Sequence, residues 1–311
     1  MEFINKLKAY PNIYKLLNVQ LNQTPEQSKF FEKRFSENND ELNEITDLLS
    51  GQIIALVGQD KLESLASDYQ WMCSMLLQEE EYFRRNGTYR LKTVDEAVHE
   101  VYSNDAFMQR YLNGLLISQV WWSNHTSVFQ FYKNKFLKKN AVSYQHLEVG
   151  PGHGLFLFQA CNDENCESAS AWDIAPQSIE SSKEALKHLN VQRMPDFYIQ
   201  DLLNVNDEHQ KFNSIVVSEV IEHLDQPAKA LAILKKILQK DGRMFINIPI
   251  NSPAPDHLFL LKTTDEVVNF IEGQELEIEE FIFAPQTNFT LEKARKLQLT
   301  VSCGVIVRHG S

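Results

Sequence analysis

Positive charge is scarce in this chain. Its 311 residues carry 30 Lys and Arg against 42 Asp and Glu, a formal net charge of -12. Proteins that hold nucleic acid draw most of their affinity from Lys and Arg set against phosphates. A nucleic-acid partner would therefore need a local basic patch, and the nearest thing is Lys133, Lys135, Lys138 and Lys139, read as a solvated helix end. Long apolar runs are missing too. No stretch approaches the roughly 18 residues needed to span a bilayer, and the opening "MEFINKLKAYPNIYK" lacks the apolar region of a secretory leader. Cysteine is sparse. Cys73, Cys161, Cys166 and Cys303 match no strong zinc or redox spacing, so they read as reduced thiols in a cytoplasmic protein. There is no internal repeat and no low-complexity tract.

What remains is an ordinary globular composition, 43% hydrophobic and 23% charged, on a chain long enough for two folding units. The first ~140 residues predict helices. "SKFFEKRFSENNDELNEITDLLSGQIIALVG" and "LESLASDYQWMCSMLLQEEEYFRR" repeat apolar residues every three or four positions. Asn86-Gly87 punctuates the second of these, and Thr93 with Glu96 forms a capping-box pattern before the next. From residue ~145 short apolar runs alternate with helical patterns: "HLEVG", "SASAWDI", "DFYIQD", "NSIVVSEV" and "GRMFINIPI". That alternation predicts a mainly parallel sheet with helical crossovers. "ELEIEEFIFAP" and "LQLTVSCGVIVRH" add two further strands, with the helical "LEKARK" between them.

The segment "HLEVGPGHGLF" places glycines at the turn from a buried strand into a helix. Residues without a Cβ permit a tight turn and a close ligand approach, and the helix N-terminus offers free N–H groups. A dinucleotide fingerprint needs its third glycine five positions after the first. Leu155 stands there, so that pattern fails. What is present is an acid, Glu148, followed by Gly150, Gly152 and Gly154. "LEVGPGHG" resembles the first motif of the class I S-adenosylmethionine-dependent methyltransferases, and the resemblance covers about residues 141–311.

The resemblance implies a Rossmann-like α/β fold, a seven-stranded methyltransferase sheet preceded here by an all-helical domain. It implies S-adenosylmethionine as cofactor, with the glycine loop under its methionine part and Glu148 orienting the amino group. Asp173, ending "ASAWD", would take the ribose hydroxyls, with Ile174 beside it. Asp201 would meet the adenine amino group and Leu202 the ring. "VVSEVIEHLDQP" resembles the family's fourth-strand motif, which puts Ser218 and Glu219 near the sulfonium and His223 at the pocket wall or in catalysis. The loop after the fifth strand faces the acceptor in this fold, and its His257 is the candidate general base. The last two strands match the family's added antiparallel strand.

Residues 1–140 are thus expected to form a helical substrate lid or dimerisation domain, and residues 141–311 the cofactor domain. Trp121, Trp122, Phe129, Phe131 and Tyr132 either wall an acceptor pocket, with Asn124 and His125 inside it, or form an interdomain or dimer core. His99, His125, His223 and His257 are scattered in sequence and show no zinc spacing, so no metal is expected. The leading expectation is methyl transfer to a small molecule or peptide, of the kind met in specialised metabolism, with no nucleic acid or membrane as partner. The alternatives are an RNA or protein methyltransferase and a non-catalytic cofactor-binding scaffold.

Overall fold

The computed structural model describes residues 2–36, 39–205 and 211–310. Seven short apolar runs become the strands β1 (Tyr144–Val149), β2 (Cys166–Asp173), β3 (Asp196–Ile199), β4 (Phe212–Ser218), β5 (Leu238–Ile250), β6 (Leu276–Pro285) and β7 (Val301–His309). They form one sheet in the order β3-β2-β1-β4-β5-β7-β6. The first five strands run parallel, and β7 lies antiparallel between β5 and β6. The strand order reverses between β1 and its neighbours β2 and β4, the place where doubly wound sheets bind ligands.

Residues 2–36 and 39–139 are mostly helical. They contain α1 (Glu2–Lys6), α2 (Pro11–Gln23), α3 (Ser28–Arg34), α4 (Asp40–Val57), α5 (Leu62–Asn86), α6 (Val94–Ala97), α7 (Asp105–Trp121) and α8 (Ser123–Phe131). The crossovers and the C-terminal link supply α9 (Leu155–Cys161), α10 (Pro176–His188), α11 (Pro227–Ile237), α12 (Thr264–Glu272) and α13 (Leu291–Leu297). Pro11, Pro176 and Pro227 each open a helix, where a missing N–H costs nothing. Gly87 ends α5 in the left-handed conformation at φ 67°. The capping box of Thr93 and Glu96 is formed at the start of α6.

The helical stretch expected over 28–58 is divided: α3 stops at Arg34, α4 starts at Asp40, and positions 37–38 lie outside the described residues. Strand β5 begins at Leu238, ahead of Gly242, because Leu238 pairs with Phe212 across a register shift. Two of the four lysines near residue 135 are engaged rather than solvated. Lys133 donates to Gln159 at 2.9 Å, and Lys139 pairs with Glu280 at 2.7 Å.

The strands alternate between two cores, as a period of two demands. Ile215, Val217, Met244, Ile246, Val305 and Val307 face α11 and α12. Val216, Phe245 and Ile306 face the other way and join one continuous core with Ile13, Leu17, Phe31, Leu49, Tyr69 and Trp121 of the helical half. Truncating a ring such as Phe245, fully buried there, costs about 3–5 kcal/mol. The stretch from Trp121 to Tyr132 supplies much of this joint. Trp121 meets Phe31 edge-on, and Tyr132 packs on Phe156 and Phe245. Among the described residues no helix is long and apolar enough to cross a membrane.

Candidate active site

Strand β1 delivers the chain into a turn made of residues 150–154, and α9 begins at once after it. Gly150, Gly152 and Gly154 all have positive φ, at 66°, 49° and 72°. Gly150 has a second reason to lack a side chain, since a Cβ there would lie 2.5 Å from Val220 Cγ2. The turn is thereby pressed against the segment that follows β4. At Gly152 a Cβ would find only the Gly150 carbonyl, 3.9 Å away, so this part of the backbone stands open to a ligand.

The expected acids stand at successive strand ends. Asp173, closing β2, accepts the Ala175 N–H at 2.9 Å and the Ser178 hydroxyl at 2.6 Å. A carboxylate offers about four acceptor positions, so roughly half remain for hydroxyl donors. Ile174 beside it is 66% exposed, an apolar side chain without cover. Asp201 follows β3 and accepts the Leu203 N–H at 2.9 Å, while Leu202 is buried. Glu148 is buried within the sheet, and that burial pushes its carboxyl well above the ordinary range, partly offset by the Leu157 N–H. Its Oε2 has no hydrogen-bond partner, nor does the adjacent His146 Nε2, 3.8 Å away.

At the end of β4, Ser218 and Glu219 both accept from Asn247, at 3.1 and 2.8 Å. Glu219 has φ 54°, a left-handed backbone that is unusual for a side chain of this size. It swings into a polar cluster with Glu222, His223, Asp256 and His257. The two imidazoles meet edge to face with centroids 4.8 Å apart. Each Nδ1 lies against a backbone carbonyl, His223 against Asp256 O at 3.0 Å and His257 against Ser252 O at 2.7 Å. A carbonyl can only accept, so Nδ1 is a protonated nitrogen in both rings. Burial holds His257 down at about 4. Burial raises Glu222 well above the usual carboxylate range, and raises Glu219 to about 7.

Three tyrosines of the helical half cover this cluster. Tyr102 and Tyr111 donate to the two oxygens of Asp256 at 3.2 and 3.1 Å. Tyr89 accepts the Ser252 N–H at 3.0 Å and sets its ring edge-on to His257. None of the three stands out in the sequence. The signal available was thin, because aromatic residues recur throughout the first 140 positions.

Of the three candidate catalytic histidines, the fold brings His223 and His257 together. His125 is placed elsewhere. Its Nδ1 meets Ser118 Oγ at 3.1 Å and Gln119 Nε2 at 3.2 Å, its ring packs on Trp122, and burial lowers it to about 3. Asn124 bonds to Ser302 at 2.9 Å, fixing α8 to β7.

A parallel sheet of this order, with one antiparallel strand inserted next to its edge and a glycine turn after β1, defines a Rossmann-like methyltransferase fold. The family model described as a methyltransferase domain matches residues 122–278, about half the chain. The chain belongs to that family, the class I S-adenosylmethionine-dependent methyltransferases, and S-adenosylmethionine is its cofactor. No curated protein matches it in sequence. Similar solved structures include a putative sarcosine dimethylglycine methyltransferase from Galdieria sulphuraria, 13% identical, covering 60% of this chain and 85% of that one at a TM-score of 0.49. An S-adenosylmethionine-dependent methyltransferase from Clostridium acetobutylicum is 12% identical, with 59% and 91% covered and a TM-score of 0.46. The N-methyltransferase NodS from Bradyrhizobium japonicum is 14% identical, with 60% and 98% covered and a TM-score of 0.45.

The residues present fit this cofactor. The turn at Gly152 leaves backbone uncovered, Asp173 keeps acceptor positions free, and Ile174 offers an apolar face at the same strand end.

Proposed function

We propose that the chain methylates a small molecule, whose reacting group enters between the β4 and β5 ends and the tyrosines of the helical half. The observation that carries this reading is the junction at Asp256. This carboxylate is buried, lies on the loop after β5, and is held by Tyr102 and Tyr111 from the other half of the chain. A polar cluster enclosed in this way suits a compact head group better than a folded RNA or protein surface. The acidic balance of the chain supports the same choice.

In this reading the glycine turn, Glu148, Asp173, Ile174, Asp201 and Leu202 hold the cofactor. When bound, the cofactor supplies a methyl group on a sulfonium whose leaving group is a neutral thioether, so positioning accounts for much of the rate. Ser218 and Glu219 form the wall between the cofactor turn and the acceptor. The contact of Val220 with Gly150 sets how far apart these two stand. Residues 1–140 act as the roof of the acceptor cleft, and residues 141–311 as the cofactor domain. The four thiols are unpaired, which supports a cytoplasmic setting.

The test is S-adenosylhomocysteine release over a panel of small polar acceptors, short peptides and RNA. Turnover with a small acceptor is the expected result. Turnover restricted to RNA or to folded protein would overturn the reading.

A further inference from the structure

The polar cluster holds more carboxyl groups than an acceptor wall requires. Glu219, Glu222 and Asp256 converge there, and among the described residues none of the three pairs with a Lys or Arg; Asp256 Oδ2 lies 3.5 Å from His223 Nδ1. Neither oxygen of the fully buried Glu222 has a hydrogen-bond partner. The nearby Glu219 carboxyl is the group able to share a proton with it. A buried carboxyl without a partner is costly to ionise, and it stays neutral, pairs or coordinates a metal.

One ligand atom from each of Glu222, His223 and His257 lies within 4.8 Å of the others. Both imidazoles donate Nδ1–H to a backbone carbonyl, which fixes the ring and leaves Nε2 as the coordinating nitrogen. This is the arrangement that outer-shell carbonyls impose on metal-bound histidine. Two imidazoles and one carboxylate suit zinc, or ferrous iron with positions left open. Metal–nitrogen and metal–oxygen bonds of about 2.1 Å place ligand atoms roughly 3–4 Å apart. With one ligand atom of each side chain within 4.8 Å of the others, the three need to close by roughly one to two ångströms.

We propose that Glu222, His223 and His257 bind one divalent first-row transition ion at the floor of the acceptor cleft. Three protein ligands leave coordination positions for an acceptor that chelates through two oxygens, such as an α-keto carboxylate or a vicinal diol. That second step rests on the methyl-transfer reading, whereas ion binding does not. His257 is then a ligand rather than a free base. No spacing announces the site, because 33 positions separate His223 from Asp256, the residue whose carbonyl orients it.

The experiment is titration of chelator-treated full-length protein with cobalt(II), followed by its visible d–d absorption, and with zinc(II) by calorimetry. One ion per chain is expected. Affinity should fall at least about tenfold in Glu222→Gln and in His223→Ala, and stay unchanged in His99→Ala, an exposed histidine outside the cluster. The His223 side chain is 24% exposed, so its removal leaves the core filled, and circular dichroism verifies the fold of each variant. Addition of catechol should shift the cobalt band. No saturable binding by the wild type, or equal binding by both cluster variants, would overturn the site. S-adenosylmethionine affinity in the same samples separates the two readings: cofactor binding without ion binding removes the metal site and leaves methyl transfer standing.

Discussion

Asp173 shows how much one side chain does at the end of β2. It caps the turn into α10 through the Ala175 N–H and the Ser178 hydroxyl, and it still has acceptor positions facing outwards. In the proposed cofactor site, two charge-assisted hydrogen bonds from ribose hydroxyls would contribute roughly 1.5–3 kcal/mol each. Asp173→Ala should therefore lower S-adenosylmethionine affinity at least ~10-fold in calorimetry, and an unchanged affinity in a folded variant would remove Asp173 from the ribose site. Gly150 is constrained twice over, by φ 66° and by Val220 Cγ2 at 2.5 Å from any added Cβ. Gly150→Ala should cost about 1–3 kcal/mol in urea unfolding and weaken cofactor binding as well. A variant of native stability would mean that the turn gives way more easily than its geometry indicates.

At the scale of elements, the strands and the glycine turn were legible because their signals are local. Apolar runs bounded by polar residues become β1 to β7, and the acids Asp173 and Asp201 sit where those runs stop. The roof over the proposed acceptor cleft was not legible. Tyr102 and Tyr111 reach Asp256 across 154 and 145 positions, and no periodicity encodes such a pairing. The aromatic stretch from Trp121 to Tyr132 drew attention by its density, yet Trp121, Phe129 and Tyr132 are fully buried in the joint between helices and sheet. Density of rings marks burial, whereas a single buried acid with two hydroxyl donors marks the proposed site. Tyr111→Phe removes one of those donors and frees the loop after β5. Turnover should fall at least ~10-fold while cofactor affinity changes little, since small misplacements near the reacting atoms are costly. Equal losses in both would place Tyr111 in general stability instead.

Among the described residues burial depresses four imidazoles, that of His257 and three outside its cluster. Burial depresses His125 and His146 from 6.5 to about 3, and His153 from 6.5 to about 4. Unfolded, each takes up a proton below its ordinary value near 6.5, whereas the folded chain refuses it. Stability therefore falls as pH drops from about 6.5 towards 4, by up to ~1.4 kcal/mol per pH unit for each group. Urea midpoints at about pH 7.5 and about pH 5.5 should differ accordingly, and His146→Gln should narrow the gap. A flat profile would mean that the three rings are not held neutral. The sheet order has a consequence for biosynthesis. Strand β7 is made after β6 but lies between it and β5, so β6 has no place in the sheet until Val301–His309 has left the ribosome. Until then Met244–Ile250 presents an unpaired apolar edge, the kind of surface on which nascent chains associate. A ribosome paused before Val301 holds a chain that contains every proposed cofactor and ion ligand but whose sheet is still open.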